Sequence, residues 1–206
     1  MRTFAKLISA LFHPLLMLTY GVGIALYCTH LNELTASLKC AVLTRIFLTS
    51  ALFPSLLIAL LIHRGIVADA ELTNRRERSA PYLIFILGYA VSAFYLQRMH
   101  MPLWIVTGIA GCAAALVIAL VINLFWKISA HSIGIGGLLG SVLGVTAILG
   151  IDPTPAFIIL ILAAGLVGVS RLYLGRHTPL QVYAGFLLGL FTVSGLLTAL
   201  HRFFYH

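Results

Sequence analysis

Charged residues, and carboxylates above all, are scarce in this sequence. Only 9% of its 206 residues are charged, against ~25% in a typical soluble domain, and 61% are hydrophobic, against ~45–50%. A soluble chain of this length could not keep so much apolar surface away from water. The composition therefore excludes an ordinary soluble domain and indicates a protein that is embedded in lipid.

The few charges are also unbalanced. Thirteen Lys and Arg residues against five acids give a formal net charge of +8. Such a surplus can indicate a nucleic-acid partner. Here, however, the cations lie in short gaps between apolar runs, so we expect membrane lipids and phosphate groups as partners, and no nucleic acid. A mechanism that needs carboxylates must draw on five residues: Glu33, Asp69, Glu71, Glu77 and Asp152.

Cysteine is scarce as well. The three cysteines are odd in number and lack the spacing of metal ligands, so we predict no metal site. We interpret Cys28, Cys40 and Cys112 as small hydrophobic residues, with a disulfide between Cys28 and Cys40 as the alternative.

Long apolar runs dominate what remains. A membrane-spanning helix needs ~20 mostly apolar residues, and six or seven runs qualify, because Pro14 interrupts the first run and the third is short. We expect the first run to be a retained span and not a cleaved signal peptide. The sequence thus predicts an all-α polytopic transmembrane helix bundle, a single membrane-embedded domain over residues 1–206. The predicted spans lie near 7–28, 41–62, 82–97, 102–125, 132–150, 156–174 and 179–200.

Two histidines stand beside cations and hydroxyls at predicted helix ends. His131 lies in the segment 126–132 and His177 in the segment 170–181. Such surroundings suit the binding of an anion and the movement of a proton at its oxygen atoms. The third polar segment, 63–80, contains four arginines and three of the five acids; taken alone, it is equally well explained as a solvated loop that anchors lipid headgroups.

The parity of the predicted spans relates these segments to one another. Two spans separate residue 81 from Ser129, and two more separate His131 from Ser170. An even number of spans returns the chain to the same face of the membrane. The three polar segments can therefore converge on one site, whereas Asp152 is placed on the opposite face.

The last two segments resemble motifs of a known family. The segment Ser170–Gln181 is similar to Ser-Arg-x5-His-x3-Asp and the segment Ile128–His131 is similar to Pro-Ser-Gly-His. Both motifs belong to the type 2 phosphatidic acid phosphatase superfamily, which contains metal-independent phosphatases. In this chain Gln181 stands at the position of the Asp, and Ile128 and Ala130 stand at the positions of the Pro and the Gly.

The family's first motif, Lys-x6-Arg-Pro, is only partly present. Pro81 matches it, but Thr73 and Ala80 occupy the Lys and Arg positions. The resemblance covers residues 63–181, in the family's order. Nearby cations that could substitute for the missing ones are Arg75, Arg76 and Arg78.

The resemblance implies roles for single residues, and it implies no cofactor. His177 would be the nucleophile that forms a phosphohistidine. His131 would protonate the leaving oxygen and later activate water. The residues that would bind the phosphoryl oxygens are Arg171, Ser170, Ser129, the amide of Ala130, Lys127, Arg75 and Arg78.

Gln181 is the main departure from the family. Four residues after His177, it can accept a hydrogen bond from the imidazole, but it supplies no negative charge. We expect either a slower phosphatase or a protein that binds a phosphorylated lipid without turnover. As a hypothesis, Asp69, Glu71 or Glu77 supplies the missing charge.

We therefore predict an integral, multi-pass membrane phosphatase that hydrolyses a lipid phosphate or diphosphate, located in a bacterial inner membrane. The substrate classes left open are an isoprenoid diphosphate, phosphatidic acid or phosphatidylglycerophosphate, and a lipid A-type phosphoglycolipid. The alternative is a catalytically weak or inactive lipid-phosphate-binding membrane protein with the same fold. The distribution of cations does not decide which membrane face carries the site.

Overall fold

The computed structural model describes residues 1–69 and 74–205. In that part of the chain it has nine α-helices and no strand, which confirms the predicted all-α class. Glu71 and Thr73, two residues of the sequence analysis, lie outside the described residues. The helices are α1 (Arg2–Leu11), α2 (Pro14–Cys28), α3 (Ala36–Phe47), α4 (Phe53–His63), α5 (Ser79–Arg98), α6 (Leu103–Phe125), α7 (Ala130–Leu149), α8 (Thr154–Tyr173) and α9 (Pro179–Tyr205).

Six helical segments of the described chain are long and apolar enough to cross a membrane, and a bent helix pair would make a seventh, as predicted. Helices α3 and α4 form one of the six, joined by a π-helical turn at Leu48–Leu52. The protein is thus an integral, multi-pass membrane protein. The segments are Ala36–His63, Arg75–Arg98, Leu103–Phe125, Ala130–Leu149, Thr154–Tyr173 and Pro179–Phe204.

The first predicted span is the bent pair. Helices α1 and α2 meet at an angle of 55°. Pro14 begins α2, where its missing N–H costs nothing, and the Nδ1 of His13 accepts a hydrogen bond from the Leu15 amide over 3.3 Å. The chain therefore turns at His13, and α1 packs against α8.

The predicted short third span is longer than the hydrophobic pattern indicated. A 3₁₀ turn at Arg75–Arg78 runs directly into α5 at Ser79. The side chain of Asn74 accepts from the Arg76 amide and begins this turn. The first turns of this helical segment consist of polar residues, so the hydrophobic pattern of the sequence does not include them in the span.

Glycines bring α7 and α9 into close contact, as the glycine-rich fifth predicted span indicated. A Cβ atom added at Gly140 would lie only 2.5 Å from the carbonyl oxygen of Leu190, and Gly136 faces the carbonyl of Phe186 in the same way. At the end of this contact the Ser129 amide donates to the Gln181 carbonyl over 3.4 Å. The packing therefore places the segments that contain His131 and His177 side by side.

Candidate active site

A cavity of about 350 Å³ opens at the end of the bundle where α7 begins and α8 ends. All three polar segments that the sequence singled out contribute to it, as the parity of the spans requires. One part of its wall is cationic or polar, and the other part is apolar. The polar residues are Lys6, Ser9, His13, Arg78, His131, Arg171 and His177; the others are Ala10, Pro14, Ile58, Pro81, Tyr82, Phe85, Ala130 and Leu174.

The first turn of α9 fixes the orientation of His177. Its Nδ1 lies 3.0 Å from the Oε1 of Gln181. An amide oxygen only accepts hydrogen bonds, so Nδ1 carries the proton and Nε2 keeps its lone pair. The same Oε1 accepts from the Thr178 amide over 3.2 Å, which is the bond that the third helical residue makes in a capping box. Gln181 therefore serves the helix and the histidine together.

His131 lies in the first turn of α7, directly after the helix cap. Ser129 begins the helix by accepting from the Ser132 amide over 3.3 Å. The Nε2 of His131 lies 3.1 Å from the carbonyl oxygen of Ser9, which belongs to α1. Since a carbonyl cannot donate, Nε2 carries the proton, and Nδ1 is the nitrogen left to exchange a proton.

Two buried guanidinium groups flank the histidines. Arg171, in the last turn of α8, is 4% exposed, and its Nη1 donates to the hydroxyl of Ser9 over 3.4 Å. Arg78 is 5% exposed, and its Nη1 donates to the carbonyl of Ile128 over 2.9 Å. These contacts hold both planar groups in the cavity wall.

The surroundings of His177 favour its neutral form. Burial lowers the pKa of its imidazole to about 3, and the positive charges of Arg78, Arg171 and Lys127 act in the same direction. The hydrogen bond to Gln181 opposes them only in part. Lys127 responds to the same cluster: burial and the neighbouring arginines lower its pKa. Such a concentration of positive charge suits the binding of an anion.

One family profile, described as the PAP2 superfamily, matches residues 107–205. This match supports membership of the chain in the PAP2 superfamily. This superfamily contains phosphatase-type hydrolases that act on phosphorylated, lipid-like substrates. No curated protein and no solved structure matches the chain.

The PAP2 match covers part of the cavity wall. It begins in α6 and includes His131, Arg171 and His177. It does not include Arg78, nor the cavity residues of α1 and the turn that follows α1. The other part of the wall therefore comes from segments before the matched region.

The remaining predicted phosphate-binding residues lie near the cavity, outside its lining. Ser129 is fully buried and bonds to the hydroxyl and amide of Ser132, and Ser170 is 4% exposed. The Nη1 of Arg75 donates to the carbonyl of Leu124 over 2.6 Å. The positive charge of Lys127 helps to lower the pKa of His177.

The two acids of the polar loop that the structure describes, Asp69 and Glu77, interact with partners other than His177. Glu77 accepts from the Ala68 amide over 2.7 Å and from the Asn74 side chain over 2.8 Å. Asp69 interacts electrostatically with Arg78 and Lys127. Asp152, in the turn between α7 and α8, accepts from the amide and hydroxyl of Thr154.

Sequence reasoning missed the contribution of the N-terminus. Lys6, Ser9 and His13 line the cavity, but no motif contains them. The feature of the sequence that could have indicated this contribution is the dipeptide His13-Pro14, in which a titratable side chain stands directly before the start of a helix. Tyr82 was also missed as a cavity residue; it is 3% exposed, and its hydroxyl lies beside the Arg78 guanidinium.

Metal ligands do not group in the described part of the chain. No set of three or more His, Cys, Asp or Glu side chains lies close enough together there to hold an ion.

Proposed function

We propose that this PAP2 protein hydrolyses a lipid phosphate or diphosphate through a phosphohistidine, without a metal ion. The observation that carries the proposal is the composition of one cavity. His131, His177, Arg78 and Arg171 lie at its polar part, and apolar side chains complete its wall. Such a cavity fits a ligand with an anionic head and a hydrocarbon tail.

The first step uses the two histidines in opposite protonation states. The Nε2 lone pair of neutral His177 attacks phosphorus, and the bond from phosphorus to the leaving oxygen breaks. Protonated His131 gives its Nδ1 proton to that oxygen, so the lipid leaves as an alcohol. With a lipid diphosphate as the substrate, the same step transfers the terminal phosphoryl group, and the lipid leaves as a monophosphate.

The second step releases phosphate. Neutral His131 takes a proton from a water molecule, whose oxygen attacks the phosphorus of phosphohistidine. The bond between phosphorus and Nε2 breaks, and its electron pair returns to His177. Inorganic phosphate leaves, and His131 is protonated again for the next cycle.

The guanidinium groups stabilise the charge on the phosphoryl oxygens. Phosphoryl transfer depends mainly on positioning and on electrostatic stabilisation. Arg78 and Arg171 are both buried and fixed by hydrogen bonds, so their orientation is established before the substrate arrives. Little reorganisation is then needed in the transition state.

The apolar wall supports a lipid as the substrate. Ile58 and Phe85 of the cavity wall are buried apolar side chains. A second, smaller cavity of about 80 Å³ lies inside the bundle and shares Pro14, Phe85 and Ala130 with the first. A tail can follow this route between the helices while the phosphate stays beside His177.

A second candidate function rests on Gln181. Its amide orients His177 but adds no negative charge to balance the cationic phosphohistidine. A protein with this site could bind phosphorylated lipids and turn them over very slowly, or not at all. Activity measurements separate the two functions.

The experiment measures phosphate release from a panel of lipid monophosphates and diphosphates in detergent. Wild type is compared with His177→Ala and His131→Ala, and with His63→Ala as a control on an exposed histidine outside the cavity. We expect release by wild type and by the control alone, unchanged by EDTA. If wild type releases no more phosphate than His177→Ala on every substrate, the phosphatase proposal fails and the binding function remains.

Location is a separate part of the proposal. We propose a bacterial inner membrane, where lipid phosphates are abundant substrates, and one membrane domain over residues 1–206. Cysteine labelling of the 63–80 loop in intact cells identifies the membrane face that carries the site.

A further inference from the structure

Helix α1 has three distinct faces. Phe4, Leu7 and Leu11 are all more than half exposed and form a stripe that faces away from the bundle. Ile8 packs in a cluster with Leu160 and other residues of α8. The third face, formed by Lys6 and Ser9 and continued by His13 after the turn, lines the cavity.

The α1–α2 elbow, defined as residues 6–14, contacts the proposed general acid twice. The Ser9 carbonyl accepts from Nε2 of His131 over 3.1 Å. The rings of His13 and His131 meet edge to face, with centroids 5.3 Å apart and planes at 81°. This is the arrangement and separation that aromatic pairs prefer. Together the two contacts hold both the position and the tautomer of His131.

We propose that the α1–α2 elbow is a fourth segment of the active site and that His13 is a positioning residue for His131. This inference rests on the proposed function. The elbow lies outside the residues matched by the PAP2 profile, which begin at Thr107. A histidine that acts as a general acid or base needs a neighbouring group that fixes the orientation of its ring. The elbow supplies this group to His131, so that Nδ1 faces the leaving oxygen.

A purely structural role for His13 must be separated from positioning. Its Nδ1 caps α2 by accepting from the Leu15 amide. Asparagine is among the best helix caps, so His13→Asn keeps this function and removes the ring that packs against His131. His13→Ala removes both. The matched control is His63→Asn, because His63 is exposed and lies outside the cavity wall.

The readout is a pair of substrates that differ in their need for an acid. A benzyl phosphate and a nitrophenyl phosphate with the same alkyl tail have similar shapes. The benzyl alkoxide requires a proton as it leaves, whereas the nitrophenolate leaves as a stable anion. The ratio of kcat/KM for benzyl to nitrophenyl ester therefore reports the contribution of His131 up to the breaking of the ester bond.

We expect this ratio to fall by about a hundredfold in His131→Asn, within the range that general acids contribute, and by about tenfold in His13→Asn, which keeps the acid and loses only its positioning. His63→Asn should leave it unchanged. If the ratio in His13→Asn stays within twofold of wild type while His131→Asn lowers it, the inference fails and the proposed function stands. A wild type that is inactive on the whole lipid panel and on both esters overturns the proposed function and this inference with it.

Discussion

The substitution Gln181→Glu adds the charge that the third motif lacks without changing the size of the side chain. Oε1 of Gln181 lies 3.0 Å from Nδ1 of His177 and 3.2 Å from the Thr178 amide. A glutamate can keep both contacts, because both partners donate. It is also the usual partner in a capping box, and its charge suits a helix N-terminus. The variant therefore isolates charge from shape.

The expected gain follows from the geometry. At a charge separation of ~4 Å and an effective dielectric constant of ~20, a carboxylate and an imidazolium attract by ~4 kcal/mol. Part of this is lost because the carboxylate gives up hydration at a half-buried position. If half remains, about 2 kcal/mol stabilises the cationic phosphohistidine and the transition state before it. This corresponds to a rate increase of roughly 30-fold.

The assay has two parts. Single-turnover phosphoryl transfer to His177 gives the rate of the first step, and a histidine NMR titration in detergent follows the ring. The pKa of His177, about 3 in the ligand-free protein, should rise towards its ordinary value in the variant. The control is Gln97→Glu, which makes the same chemical change at an exposed position. Gln97 lies near the C-terminal end of α5, whereas Arg78 directly precedes the N-terminal end of that helix.

Two results would contradict this prediction. A rate that stays within twofold of wild type, together with a raised pKa of His177, would show that charge beside the imidazole does not limit phosphoryl transfer. An unchanged pKa would show that the glutamate does not reach Nδ1, against the distances observed.

Three further predictions concern packing, phosphate binding and pH. Gly189→Ala places a Cβ against the Ile133 carbonyl and should cost about 1–3 kcal/mol, seen as a lower unfolding temperature, whereas Gly165→Ala meets nothing within 4 Å and should not destabilise. Arg78→Lys keeps the charge but loses the planar fork, so KM should rise about tenfold, unlike that of the exposed control Arg76→Lys. The pKa of His177 is near 3 in the folded protein and ~6.5 in the unfolded chain. The neutral ring therefore contributes to the stability of the fold above pH ~6.5, and this contribution is lost as the pH falls towards 3. An NMR signal showing protonated His177 at pH 5 would contradict this prediction.

The helical bundle could be predicted because lipid imposes a simple rule. Each span must satisfy its own backbone and present apolar side chains, so composition and run length determine the class and the approximate number of helices. Boundaries were less certain where polar residues begin a helix, as at Arg75–Arg78. The proline at position 14 marked a break, but its consequence, a 55° bend, depends on what α1 packs against.

The site was predictable to the extent that its residues form local motifs. His131, Arg171 and His177 were identified from spacing, and the parity of the spans placed them on one face. Gln181 was within reach of His177 because His177 lies just before α9 and Gln181 lies in the first turn of that helix. Residues of the N-terminus were missed because nothing in their own neighbourhood indicates a distant partner.

The sequence by itself determined the membrane environment, the helical class and two motifs, since each depends on composition or on residues less than fifteen positions apart. Only the tertiary structure decided that α1 lines the cavity and that Ser9 and His13 contact His131, more than 100 positions away. Contacts at that separation arise from how helices pack. In this chain the packing depends on glycines of α7 and α9 and on the bend at His13. The effect of each glycine and of the bend on the geometry depends on the helix that packs against it.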